Sequence, residues 1–151
     1  MSRTKLTVII PFVFLSGVAL GGYLFSDSQP RSFLALQKCR SCLSTKDLAG
    51  LMASVGIQRF PMFMPLVALE TDTTIAFKIP ARKGGIHYVI VPRKDIRNIG
   101  ELSGDDTRYL VDTFSVIQSI IRKEKLVNYF VYTNGPGFQN VTYLHFHLIA
   151  R

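Results

Sequence analysis

The run Tyr143-Leu144-His145-Phe146-His147-Leu148-Ile149 alternates strictly, and it holds two of the three histidines in the chain. In a β-strand, successive side chains point to opposite faces. The alternation predicts a strand over Val141–Ile149, with Leu144, Phe146 and Leu148 on one face and Tyr143, His145 and His147 on the other. One face then belongs to a core, and the other carries two neighbouring imidazoles. Such a pair points to chemistry or ligand binding more than to packing.

The rest of the C-terminal part reads as sheet around one helix. Leu66–Leu69, Thr74–Ile79, His87–Val91 and Val127–Thr133 are further candidate strands, separated by turn signals at Asp72 and Asn134-Gly135-Pro136-Gly137 and by a basic loop at Arg82-Lys83-Gly84-Gly85. Ser103-Gly104-Asp105-Asp106 starts a helix with acidic residues at its positive end and Arg122, Lys123 and Lys125 at its negative end. Leu110, Phe114, Ile117 and Ile121 are its expected core stripe. The order β-β-β-α-β-β, with antiparallel neighbours, describes an α+β domain built on one sheet with one main helix. Upstream, Ser44-Thr45-Lys46-Asp47 caps a short helix through Ala53, ended near Gly56. Phe60 to Pro65 is an apolar, Pro-broken loop or edge.

At 151 residues the chain makes one domain with an appendage. Leu6 to Phe25 carries no charge over 20 residues, the length of a helix crossing a bilayer core. Arg3 and Lys5 before it match a retained transmembrane anchor; Ala19 and Gly21 leave a cleaved signal peptide as the alternative. The expected organisation is an anchor over 1–25, a linker and short helix with Cys39-Arg40-Ser41-Cys42 over 26–60, and a sheet domain over 61–151, with the membrane as a partner through residues 6–25. The net charge of +8 suits an anionic partner such as phosphates, nucleotides or lipid headgroups. No nucleic-acid partner is expected.

His87, opening a strand after the basic loop, completes the histidine inventory. Imidazoles at strand ends beside a Gly-rich turn bearing Asn134 and Gln139 form a plausible phosphate site, since amide and ring N–H groups donate to phosphate oxygens. The same three histidines also fit a zinc site with an open position for water.

The segment Asn134-Gly135-Pro136-Gly137-Phe138-Gln139-Asn140-Val141-Thr142-Tyr143-Leu144-His145-Phe146-His147-Leu148-Ile149 resembles the signature of the histidine triad nucleotide-binding and hydrolase family. Leu69 to Phe77 and His87 to Lys94 resemble two further strands of that family, so the likeness spans about Leu66 to Arg151. It implies nucleotidyl transfer through a covalent phosphoramidate, with His145 as nucleophile and His147 assisting the leaving group. His87, Asn134, Gln139, Asn140 and Tyr143 would serve the phosphate site, no metal or other cofactor would be needed, and a homodimer is expected.

Three departures qualify the likeness. Tyr143 stands where the first histidine of the triad belongs, which leaves a binding domain without turnover as an alternative. Lys78-Ile79-Pro80 replaces an acidic ribose contact, and Lys78 would favour a more anionic ligand. Arg151 follows the motif directly, which implies a more open site. The Cys39 and Cys42 pair admits a structural zinc, a redox dithiol or two plain cysteines; Asp95 and Tyr143 occupy the positions where histidine ligands of such a zinc would stand.

Overall fold

The computed structural model describes residues 3–29, 44–64, 66–81 and 84–151, with side chains from Ile9 onward except at Phe63. Cys39, Cys42, Arg82 and Lys83 lie outside the described residues, and with them the readings of the cysteine pair and of the basic loop. Five strands, β1 (Val67–Glu70), β2 (Thr74–Lys78), β3 (Ile86–Pro92), β4 (Tyr129–Thr133) and β5 (Phe146–Ala150), form one sheet in the order β1-β2-β3-β5-β4, antiparallel throughout. Three α-helices accompany them: α1 (Arg3–Phe25), α2 (Thr45–Arg59) and α3 (Thr107–Lys123). The α+β fold with an antiparallel sheet is as expected. β1 begins one residue later than the pattern suggests because Leu66 has φ 69°, in the left-handed region that no strand residue adopts.

The period-2 alternation divides the sheet into two faces. Ala76, Tyr88, Ile90, Phe146 and Leu148 pack under α3 with Val116, Ile117 and Ile120. The opposite face carries Ile75, Val91 and Tyr143, which pack with Ile57 and Ala53 of α2. The core face of α3 is rotated from the expected stripe: Thr113, Val116, Ile117 and Ile120 are buried, whereas Phe114 is exposed. α3 starts at Thr107, after a single 3-10 turn over Gly104–Asp106 that Ser103 caps. The Asp106 carboxylate accepts from the backbone N–H (2.8 Å) and hydroxyl (2.9 Å) of Ser103, and Lys94 Nζ lies 2.5 Å from its other oxygen.

α2 runs to Arg59 and does not stop near Gly56. Its two inner glycines allow close approach. A Cβ at Gly50 would collide with the side chain and carbonyl of Thr142, and one at Gly56 would only touch Met64. Thr142 N–H donates to Lys46 O at 3.2 Å and so ties the histidine segment to the first turn of α2.

The anchor reading is corrected. Among the described residues, no helix is long and apolar enough to cross a membrane. α1 is helical over the expected segment and contains Pro11. The membrane localisation and the membrane partnership inferred from residues 6–25 fall with it. The residues after α1 are instead bound to α2. Arg59 pairs with Asp27 at 2.5 Å and lies over the Tyr23 ring, the Ser28 and Ser54 hydroxyls are 2.9 Å apart, and Gln29 N–H donates to buried Asp95 at 2.9 Å.

Candidate active site

β3 and β5 are central neighbours, and their register sets the site: His87 lies opposite Ile149, and Val89 opposite His147. Phe146, Leu148 and Ala150 are buried under α3, so His147 and Ile149 emerge on the other face. His87 shares that face, and its Nε2 lies 3.0 Å from His147 Nδ1. Only one of these two nitrogens holds the proton between them. His145 precedes β5 and stands edge-on to His147, with ring centroids 5.0 Å apart and planes at 83°. Sixty residues apart in sequence, His87 and His147 meet through strand pairing alone.

The orientation of His145 is set by the backbone. Its Nδ1 lies 2.6 Å from the Tyr143 carbonyl oxygen. A carbonyl only accepts, so Nδ1 carries the proton, and in the neutral ring Nε2 holds the free lone pair. His147 is half-buried. Burial, with His145 and His87 alongside, pushes it down from the ordinary histidine range to about 4. Burial also lowers His87. Both rings are therefore neutral at pH 7, and neither repels a nearby imidazolium.

Tyr143 departs most from the strand pattern. The strand starts only at Phe146, because the preceding residues turn: Tyr143 N–H bonds to Val141 O at 2.8 Å and Leu144 N–H to Ile96 O at 2.6 Å. The Tyr143 ring is 2% exposed. Its hydroxyl lies within 2.8–3.1 Å of the carbonyl oxygens of Pro92, Arg93 and Lys94 and donates to that cluster. The side chain at the first triad position thus closes off the end of β3, with its polar atom turned away from the imidazoles.

Other expected site residues separate into those near the imidazoles and those that hold the turn. Gln139 is 1% exposed, and its side-chain amide donates to Arg97 O at 3.1 Å, so it braces the turn and is closed to a ligand. Asn134 follows β4 and is half-buried; Asn140 is exposed. Lys78 points to the α3 face, where it pairs with Glu124 at 3.0 Å beside Tyr88. The expectation that Lys78 attracts an anionic ligand is therefore corrected: alternation along β2 puts it on the face away from the histidines.

Beside the imidazoles lies a cavity of about 250 Å³, lined by Ala53 and Ile57 of α2, Met64, Phe77, Val89, Val91, Val141, Tyr143, His145 and His147. An apolar hollow ending in two imidazoles suits a flat or apolar group whose polar end reaches the histidines. The α2 wall is not evident in the sequence, because Ala53 and Ile57 show only a four-residue spacing. Tyr132 was also missed. It lies opposite His147 in the β4–β5 register, and its ring stacks on the imidazole with centroids 4.8 Å apart and planes at 25°.

The three-histidine zinc reading finds no support in the geometry. Among the described residues, no group of three or more His, Cys, Asp or Glu side chains is placed to hold a metal ion. His87 and His147 direct one ring nitrogen each at the other.

The model of the HIT domain family matches residues 66–151. The chain belongs to that family. An uncharacterized HIT-like protein of Chlamydia trachomatis is 31% identical over 84 residues, covering 54% of this chain and 76% of the relative. A HIT family hydrolase from Clostridium thermocellum superposes with a TM-score of 0.54 at 25% identity, covering 62% of this chain and 86% of that one. One from Legionella pneumophila gives a TM-score of 0.56 at 24% identity, covering 62% and 88%, a likeness of fold alone. Within the HIT domain, His87, His145 and His147 come from two segments that the sheet makes adjacent.

Proposed function

We propose that this HIT domain is a nucleotide phosphohydrolase or nucleotidyl transferase that works through a nucleotidyl-histidine at His145. The observation that carries the reading is the hydrogen bond from His145 Nδ1 to Tyr143 O, which in the neutral ring puts the lone pair on Nε2. Because the acceptor is a backbone carbonyl, replacing the first triad histidine by tyrosine does not disturb the tautomer. That favours turnover over the alternative of a domain that only binds nucleotide or a partner.

In the first step the Nε2 lone pair attacks the α-phosphorus of a nucleoside phosphoramidate, phosphoester or anhydride. The N–P bond forms, and the bond to the leaving group breaks with its electron pair. If His87 donates to His147 Nδ1, neutral His147 carries its proton on Nε2. From there it can donate to the departing atom or to a phosphate oxygen. In the second step water attacks phosphorus and gives its proton to His147 Nε2, replacing the one spent on the leaving group; the N–P bond breaks, and its pair returns to His145 Nε2. The sum is substrate plus water giving nucleoside monophosphate plus protonated leaving group. Two easier steps replace one hard one. Asn134, half-buried beside β4, and Asn140 are the amides we assign to phosphate binding.

The apolar cavity fits the nucleoside end, stacked against Phe77 and Ile57. We also assign a second copy of this chain as partner. β4 is an edge strand carrying exposed Phe130 with exposed Val127 just before it, and such an edge is ordinarily covered.

The test is a panel of labelled nucleoside phosphoramidates, phosphoesters and anhydrides offered to the full chain, quenched in alkaline denaturant and read by intact mass. A nucleotidyl adduct that maps to His145 and is absent from His145→Ala is the expected result. Binding without any adduct across the panel would leave the binding-domain reading in its place.

A further inference from the structure

His147 is held on three sides. His87 Nε2 meets its Nδ1 at 3.0 Å, and His145 stands against it edge-on. The third contact comes from β4, the outermost strand of the sheet, where Tyr132 lies opposite His147 and covers a flat face of the ring. The first two contacts belong to the histidine constellation itself, and the third does not. Without the Tyr132 ring, that face of His147 would open to water at the sheet edge.

The rest of Tyr132 shows which part matters. Its side chain is 42% exposed, so it adds little to either core. Its hydroxyl makes no hydrogen bond among the described residues, since its ring stack is the contact it makes. The ring plane, 25° from that of the imidazole, is what meets the site.

We propose that Tyr132 is a positioning residue of this active site: its ring, stacked on His147, fixes the imidazole plane and keeps water from one face of it. The role rests on the reading of His147 as the group that assists at the leaving atom. The stack keeps His147 neutral with a single ring proton, so that the bond with His87 determines which nitrogen carries it. The titratable groups facing His147 are His145, His87 and Tyr132 itself. The α2 side contributes Ala53, Ile57 and Met64 to the adjoining cavity, none of which titrates. Burial is the largest cause of the low His147 value, and the Tyr132 ring supplies part of that burial.

The test follows the ring nitrogens of the full chain, labelled with ¹⁵N-histidine, by NMR from pH 3 to 8. In Tyr132→Ala the His147 titration is expected to move up from about 4 toward the ordinary 6.5. Tyr132→Val, a residue suited to an edge strand, is the second non-aromatic variant and is expected to shift it the same way. Tyr132→Phe keeps the ring and is expected to restore the parent titration. With adenosine 5′-phosphoramidate as probe, the acid limb of kcat should follow the same ordering.

A His147 titration unmoved in both the Ala and Val variants would overturn the proposal. So would a Phe variant displaced as far as they are, since the hydroxyl would then be the active part. The titration needs no turnover. A shifted His147 in a protein inert toward the probe would support the positioning role and count against the nucleotidyl-histidine reading alone.

Discussion

His145 Nδ1 lies 2.6 Å from the carbonyl oxygen of Tyr143, two residues earlier in the chain. The proposed nucleophile is thus oriented by a backbone atom that any residue at position 143 supplies. Replacing His145 removes the only ring nitrogen so presented. His145→Ala is expected to lower nucleotidyl transfer by ~10³-fold or more while the fold persists, because the proposed covalent intermediate forms on that ring. Single-turnover release of the leaving group measures it, and a variant within tenfold of the parent would exclude His145 as nucleophile.

Tyr143→Phe separates the side chain of that residue from its carbonyl. The ring still fills its buried place, but the carbonyls of Pro92, Arg93 and Lys94 lose a donor. The expected cost is about 1–2 kcal/mol of stability, the ordinary consequence of stranding buried acceptors. Urea denaturation reads it as a lower midpoint with an unchanged slope, while the adduct on His145 still forms.

The two glycines of α2 respond oppositely. In Gly50→Ala the new methyl would lie 2.7 Å from the carbonyl oxygen of Thr142, backbone that cannot step aside. A loss of ~1–3 kcal/mol is expected, with α2 displaced from the cavity. In Gly56→Ala the methyl meets only the Met64 Cε at 3.5 Å, an ordinary contact at the end of a flexible side chain. Helix propensity then favours alanine by about 0.5–1 kcal/mol. Thermal unfolding of the two variants should move in opposite directions.

The lowered pKa values of His147 and His87 make stability depend on pH in a definite direction. Between 6.5 and about 4 the unfolded chain holds a proton on His147 that the folded chain does not, and the lowering of His87 by burial acts in the same direction. Stability from these two groups is therefore complete above 6.5, falls as pH drops below it, and for His147 stops falling below about 4. In His147→Gln this component should shrink. Urea midpoints for parent and variant at pH 7, 5.5 and 4 measure the difference, and parallel curves would refute it.

Much of this site was legible before any coordinates. Alternation alone divides Phe146 and Leu148 from His147, because a pleated strand leaves no other choice. The turn at Asn134 to Gly137, the capped turn at Ser103 that leads into α3 and the five strands follow from local chemistry in the same way. Where alternation was carried past the end of the strand it failed. Tyr143 is placed by three carbonyls at the end of β3 and just beyond it, and no local pattern encodes them. Gln139 failed for a similar reason, since its partner is Arg97.

What the sequence determined by itself is the set of residues and the face each presents: period-2 patterning, turn residues and helix caps act over a few residues and can be read there. Only the tertiary structure decided who meets whom. The β3–β5 register brings His87 to His147, the edge position of β4 lays Tyr132 on that ring, and the close approach at Gly50 brings α2 over the cavity. It also placed Lys78 on the far face. These outcomes depend on pairing between distant segments, whose free energy comes from burying two surfaces together. A linear sequence lists both surfaces without saying that they touch.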